Sequence, residues 1–264
     1  MLWVFMRFFS KWFFVAGLLA VTACSSVAPL ANQDAAGQSP PFVSTWTQPA
    51  NASAESPGTA AKAPTWLHYT FPGKQATQYT LAHKDGRSVM EATAESSASL
   101  VRQSVHISPD QLHNIRFSWK VPDLIPGADL ASRDLADSPV RIVLAFEGDR
   151  GRFSAKNAML SELSRVITGE PMPYAILMYV WCNTRAPGSV IMNPRTDRIR
   201  EFVVESGAKN LNQWLDYDRN IRADFEKAFG EAPGALVGIG IMTDTDNTRT
   251  TTHAWYGQVR LAGR

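Results

Sequence analysis

The chain has 264 residues, 45% of them hydrophobic, with 26 Lys and Arg against 24 Asp and Glu. Two of the cations, Arg7 and Lys11, lie in an N-terminal stretch that reads as a cleaved leader; 26 less 2 leaves 24, level with the acids. A near-neutral chain does not bind nucleic acid or other polyanions through bulk charge.

The leader, "MLWVFMRFFSKWFFVAGLLAVTACSS", has a positive start followed by the uncharged apolar run Trp12 to Val21, the layout of a secretory signal. That run is about ten residues, short of the roughly 20 needed to cross a bilayer as a helix. A signal anchor starting at Leu2 would bury Arg7 and Lys11 in lipid, which is costly. Val21-Thr22-Ala23-Cys24 resembles the bacterial lipobox, so residues 1–23 are expected to be the signal peptide. Cys24 is the expected lipidated N-terminus and the link to a lipid bilayer. Ser25, by similarity to Gram-negative lipoproteins, implies the outer membrane. Only Cys182 then remains, so no internal disulfide can form; it ends an apolar run and reads as a buried small hydrophobe.

Residues 24–64 are rich in Ala, Ser, Pro and Gln and read as a flexible tether, with a reach of roughly 35 Å. Its one apolar island, "FVSTW" from Phe42 to Trp46, is a segment that can dock on the domain. Residues 65–264 read as one domain, large enough for a sizeable core. "QYTLAHKDGRSVMEATA" has the pattern of a hairpin turning at Lys84-Asp85-Gly86. "SASLVRQSVHI" and "NIRFSWKV" follow as strands. "VRIVLAF" and "YAILMYVW" are nearly all apolar and suit strands covered on both faces. "KNAMLSELSRVITG" predicts a helix with Leu160, Leu163 and Ile167 on one side, stopped by Gly169. "IREFVVES" is a further strand. "DRNIRADFEKAFG" predicts a second helix with Ile221, Phe225, Ala228 and Phe229 on one stripe and Gly230 at its C-terminus. "LVGIGIM" and "AWYGQVRL" close the chain. Many strands with two short helices in the connections predict a mainly β fold, a jelly-roll-like β-sandwich. Regular strand–helix alternation, the sign of a parallel α/β sheet, is absent.

Several stretches together resemble one bacterial family, the domain-of-unknown-function family 3047. They are "DSPVRIVLAFEGD", "YVW" at Tyr179 to Trp181, "VVESG", "RNIRADFEKAFGEAP" and "GIGIMTDTDNT…AWYGQVRL". The resemblance spans roughly Trp66 to the end and implies an exported protein with one sandwich-like domain. It implies no activity and no catalytic residues.

The candidate chemistry is therefore read from the residues. In "TDTDNT", Asp244, Asp246 and Asn247 offer hard oxygens at close spacing, suited to calcium; the same residues suit a turn that hydrogen-bonds its own backbone. The EF-hand glycine and distal glutamate are missing. Glu147 and Asp149 in "FEGDRGR" are a possible carboxylate pair for glycoside hydrolysis, which needs two acids across a cleft; the plainer reading is a strand end entering a charged turn. His253 is a possible acid–base partner of the loop aspartates, or a residue at a strand start. Strict alternation puts Trp255, Val259 and Leu261 on one face of the last strand and Tyr256, Gln258 and Arg260 on the other. The glycines of "VGIGIM" share a face with Met242, a strip of bare backbone that a ligand or neighbouring element can approach. Trp214 and Tyr256 are the expected stacking surfaces for a sugar ring, and Tyr217 shares Trp214's polar surroundings. The expectation is a non-catalytic lipoprotein module that binds envelope glycan or another saccharide. The alternatives are a polysaccharide hydrolase using a carboxylate pair, or a structural lipoprotein that binds an envelope protein.

Overall fold

The computed structural model describes residues 42–43, 45–51 and 66–261. Among these, the strands form two sheets. One has seven strands: β1 (Phe42–Val43), β4 (Gln78–Lys84), β5 (Arg87–Glu95), β7 (Asn114–Lys120), β12 (Trp214–Asn220), β14 (Thr251–Tyr256) and β15 (Arg260–Leu261). The other has eight, in the spatial order β10 (Val190–Met192), β11 (Ile199–Ser206), β9 (Ala175–Cys182), β8 (Ser138–Phe146), β13 (Leu236–Asp244), β6 (Ala98–Ile107), β3 (Leu67–Thr70) and β2 (Ala50–Asn51). Pairing is antiparallel except for β9 with β11 and β2 with β3. The fold is a jelly-roll-like β-sandwich.

The core lies between the sheets. Met90, Phe117, Trp119 and Tyr256 of the seven-stranded sheet meet Ile142, Tyr179, Trp181 and Ile241 of the eight-stranded one, all at most 2% exposed. β8 is buried along nearly its whole length because its second face is also covered. The β4–β5 hairpin turns at Asp85 and Gly86, both with positive φ (52° and 76°), the conformation that a type I′ turn requires. Helix α2 (Ile221–Phe229) closes one end. Asn220 caps it through Ala223 N–H at 2.9 Å, Gly230 ends it in the left-handed region, and Phe225 packs on Phe146 with ring centroids 4.7 Å apart.

Three expectations need correction. Helix α1 (Ala155–Thr168) forms with Ser154 as N-cap and Gly169 as C-cap, but Leu163 and Ile167 are 52% and 53% exposed. Its buried residues are Asn157 and Ser161. The second helix starts later than "DRNIRADFEKAFG" predicts: Asp218 to Asn220 belong to the strand Trp214–Asn220, which is paired along its whole length with β7. The chain before residue 65 also belongs partly to the domain. β1 pairs with β15, β2 pairs with β3, and Trp46 is 6% exposed, its ring 4.6 Å from that of Trp66.

Candidate functional site

The "TDTDNT" stretch leaves the eight-stranded sheet at Asp244 and crosses to β14 in the other sheet. The carboxylate oxygens of Asp137, Asp244 and Asp246 come within 4.8 Å of one another. Each already has partners. Asp137 accepts from Asn247 N–H (3.3 Å) and Nδ2 (2.8 Å) and from Thr248 N–H and Oγ1 (both 2.7 Å). Asp246 pairs with Lys74. Asp244 faces the buried Arg141, with Nε to Oδ1 at 3.0 Å and Nη2 to Oδ2 at 3.1 Å, and also accepts from Ser138 N–H at 3.0 Å. A divalent cation there would have to displace two protein cations, and Asn247 turns its amide N–H₂ toward Asp137. This arrangement favours neither a cation site nor a turn bonded to its own backbone, but a loop tied to Asp137, Ser138, Arg141 and Lys74.

Arg141 carries the only charge in "VRIVLAF", and its burial makes it the centre of a network that sequence reasoning missed. Besides Asp244 it donates from Nη1 to Glu201 Oε1 (2.8 Å) and from Nη2 to Ala136 O (2.7 Å). Burial pushes the Asp244 carboxyl up to about 6, with Arg141 opposing the rise and Asp137 adding to it. Burial raises Glu201 in the same sense, against Arg141. These groups floor a groove of about 540 Å³ between the outer face of the eight-stranded sheet and α1, with Leu100, Val143, Met178, Met242 and Leu160 on its walls. Gly238 and Gly240 line its continuation. Phe71 is the aromatic residue of its lining. The groove is mainly aliphatic and offers little platform for a sugar ring.

The outer face of the seven-stranded sheet is different. Register puts Trp214 of β12 and Trp255 of β14 on either side of Lys120 of β7, in one row across three strands. Two strand spacings set the two tryptophans about 10 Å apart. Both are half-buried. The indole N–H of Trp214 donates to Asp85 Oδ2 (3.1 Å), which also takes Lys120 Nζ (2.7 Å); that of Trp255 donates to Glu91 Oε1 (3.1 Å). Arg87 lies 4.8 Å from the centroid of Trp214 and Lys84 lies 4.4 Å from that of Trp255, so the rings are held in place. The next row along β7 pairs Ser118 with Asp216, which Arg87 grips at 3.0 and 3.3 Å. The third row is Asp218, Arg116 and Arg260. Together with Gly257 and Gln258 the second and third rows line a polar groove of about 540 Å³. A Cβ at Gly257 would sit 2.0 Å from Ser118 Oγ, so the backbone passes too close to β7 for any side chain there.

The other expected residues fall outside this lane or are moved by it. Tyr256 was expected outward but is fully buried, its hydroxyl donating to Met242 O at 2.7 Å. The strict alternation fails at Gly257 and Gln258, where β14 ends and β15 has yet to begin; Tyr256, Val259 and Leu261 therefore all point inward and Trp255 points out. Tyr217 also faces inward, its ring 5.2 Å from that of Phe117. His253 is exposed and bonds Thr93 Oγ1 at 3.1 Å; it sits on the other sheet from Asp244 and forms no acid–base group with it. Glu147 and Asp149 are exposed at the end of β8, and Asp149 Oδ1 accepts Gly151 N–H at 2.9 Å. Neither lines a groove described above. Cys182 is free and buried. Cys24 lies outside the described residues.

The model of the family described as "Protein of unknown function (DUF3047)" matches residues 64–260. The chain belongs to this family. No curated protein matches it. Among solved structures it is similar to the family 11 carbohydrate-binding module of cellulosomal cellulase Lic26A-Cel5E of Clostridium thermocellum. The identity is 10% and the TM-score 0.37, covering 75% of this chain and 88% of that one. It is also similar to the xyloglucanase domain of NopAA from Sinorhizobium fredii, at 8% identity and TM-score 0.38, over 78% and 96% of the two chains. A third is the xylan binding module CBM86 from Roseburia intestinalis, at 12% identity and TM-score 0.29, over 77% and 97%. At such identities and TM-scores the likeness carries no argument about what this chain does.

Proposed function

We propose that this DUF3047 protein is a non-catalytic saccharide-binding module, and that its binding surface is the outer face of the seven-stranded sheet. The observation that supports this reading is the Trp214–Lys120–Trp255 row. Two indoles are fixed on one sheet face, with Lys120 between them, a carboxylate on each indole N–H, and Arg87 and Lys84 each over one ring. Sugar rings present C–H faces to such π surfaces and hydroxyls to such polar neighbours. The polar groove running from this row along β7 extends the surface in the direction of the strands. Two rows further on is about 14 Å, room for several sugar rings. The hydrolase alternative has less support, because Glu147 and Asp149 lie together on one strand end with no described cleft between them and a second acid.

The leader and Cys24 support a proposal that this module is an exported lipoprotein of the outer membrane, with envelope glycan as the nearest ligand. The binding test is affinity electrophoresis of the protein through gels containing a panel of soluble polysaccharides. Trp214→Ala and Trp255→Ala should each weaken retention about tenfold, the worth of one stacked ring. Unchanged retention in the double variant, or no retention of the wild type by any polysaccharide, would overturn the reading.

A further inference from the structure

The saccharide reading leaves the chemical class of the sugar open, and the third row of the lane bears on it. Arg260 of β15 and Arg116 of β7 are directly opposite each other in the register and both point outward. Side chains so placed have Cβ atoms about 4.5–5.5 Å apart, and like charges there repel. The neighbouring carboxylate does not relieve both. Asp218, opposite Arg116 on its other side, takes Arg116 Nε at 2.7 Å and Asn114 Nδ2 at 2.6 Å. These two partners hold the Asp218 carboxyl below the usual carboxylate range, so it stays ionised and committed to Arg116. Of the other acids of the lane, Asp216 is committed to Arg87, Asp85 to Lys120, and Glu91 accepts the Trp255 indole N–H. Arg260 is left with a neutral acceptor: its Nε and Nη2 meet Gln258 Oε1 at 3.2 and 2.6 Å. Among the described residues no carboxylate pairs with it. A guanidinium presents a planar fork that suits a carboxylate, and here the fork stands at the far end of a lane that begins with two stacking rings.

Resting on the saccharide reading, we propose that the ligand is an acidic glycan, with Arg260 binding the carboxylate of a uronic acid while a ring further along the chain stacks at Trp214 and Trp255. The anion would also neutralise the repulsion between Arg260 and Arg116. Binding then weakens as salt is raised, because both partners of the new ion pair are exposed.

The test uses the full chain in detergent, with polygalacturonate and alginate, each beside its methyl-esterified, uncharged form. The sugar backbone is the same; the ester removes the charge and adds a methyl group. The wild type is expected to bind at least one acid form about tenfold or more tightly than its ester, the effect of one charge-assisted bidentate contact. Arg260→Gln should remove that difference while leaving ester binding in place. Arg260→Lys should restore part of it. Equal binding of acid and ester by the wild type, or a preference that survives Arg260→Gln, overturns the proposal. Retention of a neutral β-glucan through Trp214 and Trp255 without retention of either acid polymer also overturns it, while leaving the saccharide reading intact. If no polysaccharide of any charge binds, the saccharide reading falls and takes this inference with it.

Discussion

Asp244 is 3% exposed and shares Arg141 with Glu201, so one guanidinium serves two buried carboxyls. Burial raises the folded-state Asp244 carboxyl to about 6, against 3.8 for the free group. Between about pH 4 and pH 6 the folded protein therefore holds a proton that the unfolded chain has released, and stability falls as pH rises through that window. The stability of the wild type relative to Asp244→Asn should drop by on the order of 3 kcal/mol across it. Denaturant melts of both proteins at steps from pH 4 to pH 7 measure this; a flat difference would mean that Arg141 fully compensates the burial. The network was partly legible. A single charge in an otherwise apolar strand, Arg141 in "VRIVLAF", signals a buried ion, and Glu201 in "IREFVVES" is its counterpart. What could not be read is that they meet, because β8 and β11 are separated by β9 and joined only through the sheet. Trp255 and Tyr256 exchanged places for a similar reason. An interruption at Gly257 that is set by contact with Ser118 leaves no mark in the alternation of residue types.

Among the elements, the hairpin and the body and C-terminal end of α2 match their sequence patterns because their signals are local: a turn that needs positive φ, the stop at Gly230, and a stripe that meets the core. Helix α1 has equally good local signals at Ser154 and Gly169, yet it is held by an amide. Asn157 Nδ2 donates to Asp197 Oδ1 at 2.5 Å, and its Oδ1 accepts Thr196 Oγ1 at 2.8 Å. Its apolar residues Met159, Leu163, Val166 and Ile167 are exposed. Leu163→Gln should therefore change stability by no more than about 0.5 kcal/mol. Asn157→Leu should cost about 1–3 kcal/mol by stranding the Thr196 and Asp197 groups. Thermal melts distinguish the two, and a large loss at Leu163 would mean that the stripe is covered in the whole chain. Strand β12 was hidden because its outward residues Trp214, Asp216, Asp218 and Asn220 are mostly polar, while only Leu215 and Tyr217 mark the inner face. An exposed edge strand need not look apolar on two faces.

At the scale of the molecule, the sandwich has two outer faces of opposite character: a polar, tryptophan-bearing lane on one sheet and an aliphatic groove under α1 on the other. Residues 42–43 and 45–51 are stitched along the domain, so less of the tether is free than its composition suggests. We expect export and lipid attachment at Cys24. Cells fed labelled palmitate should incorporate label into the wild type and none into Cys24→Ser, with the wild type recovered in the outer-membrane fraction. Label-free wild-type protein would place the module elsewhere.

The amino-acid sequence by itself determined the class of fold, the helix stops at Gly169 and Gly230, the tight turn and the family, since each rests on neighbours in the chain: alternation, glycine at positive φ and at helix C-termini. Tertiary structure alone decided which face of the last strands looks outward, that Arg141, Asp244 and Glu201 share one buried site, and that Trp214, Lys120 and Trp255 form a row. Those facts depend on register between strands distant in the chain, where a shift of one residue turns every side chain to the other face.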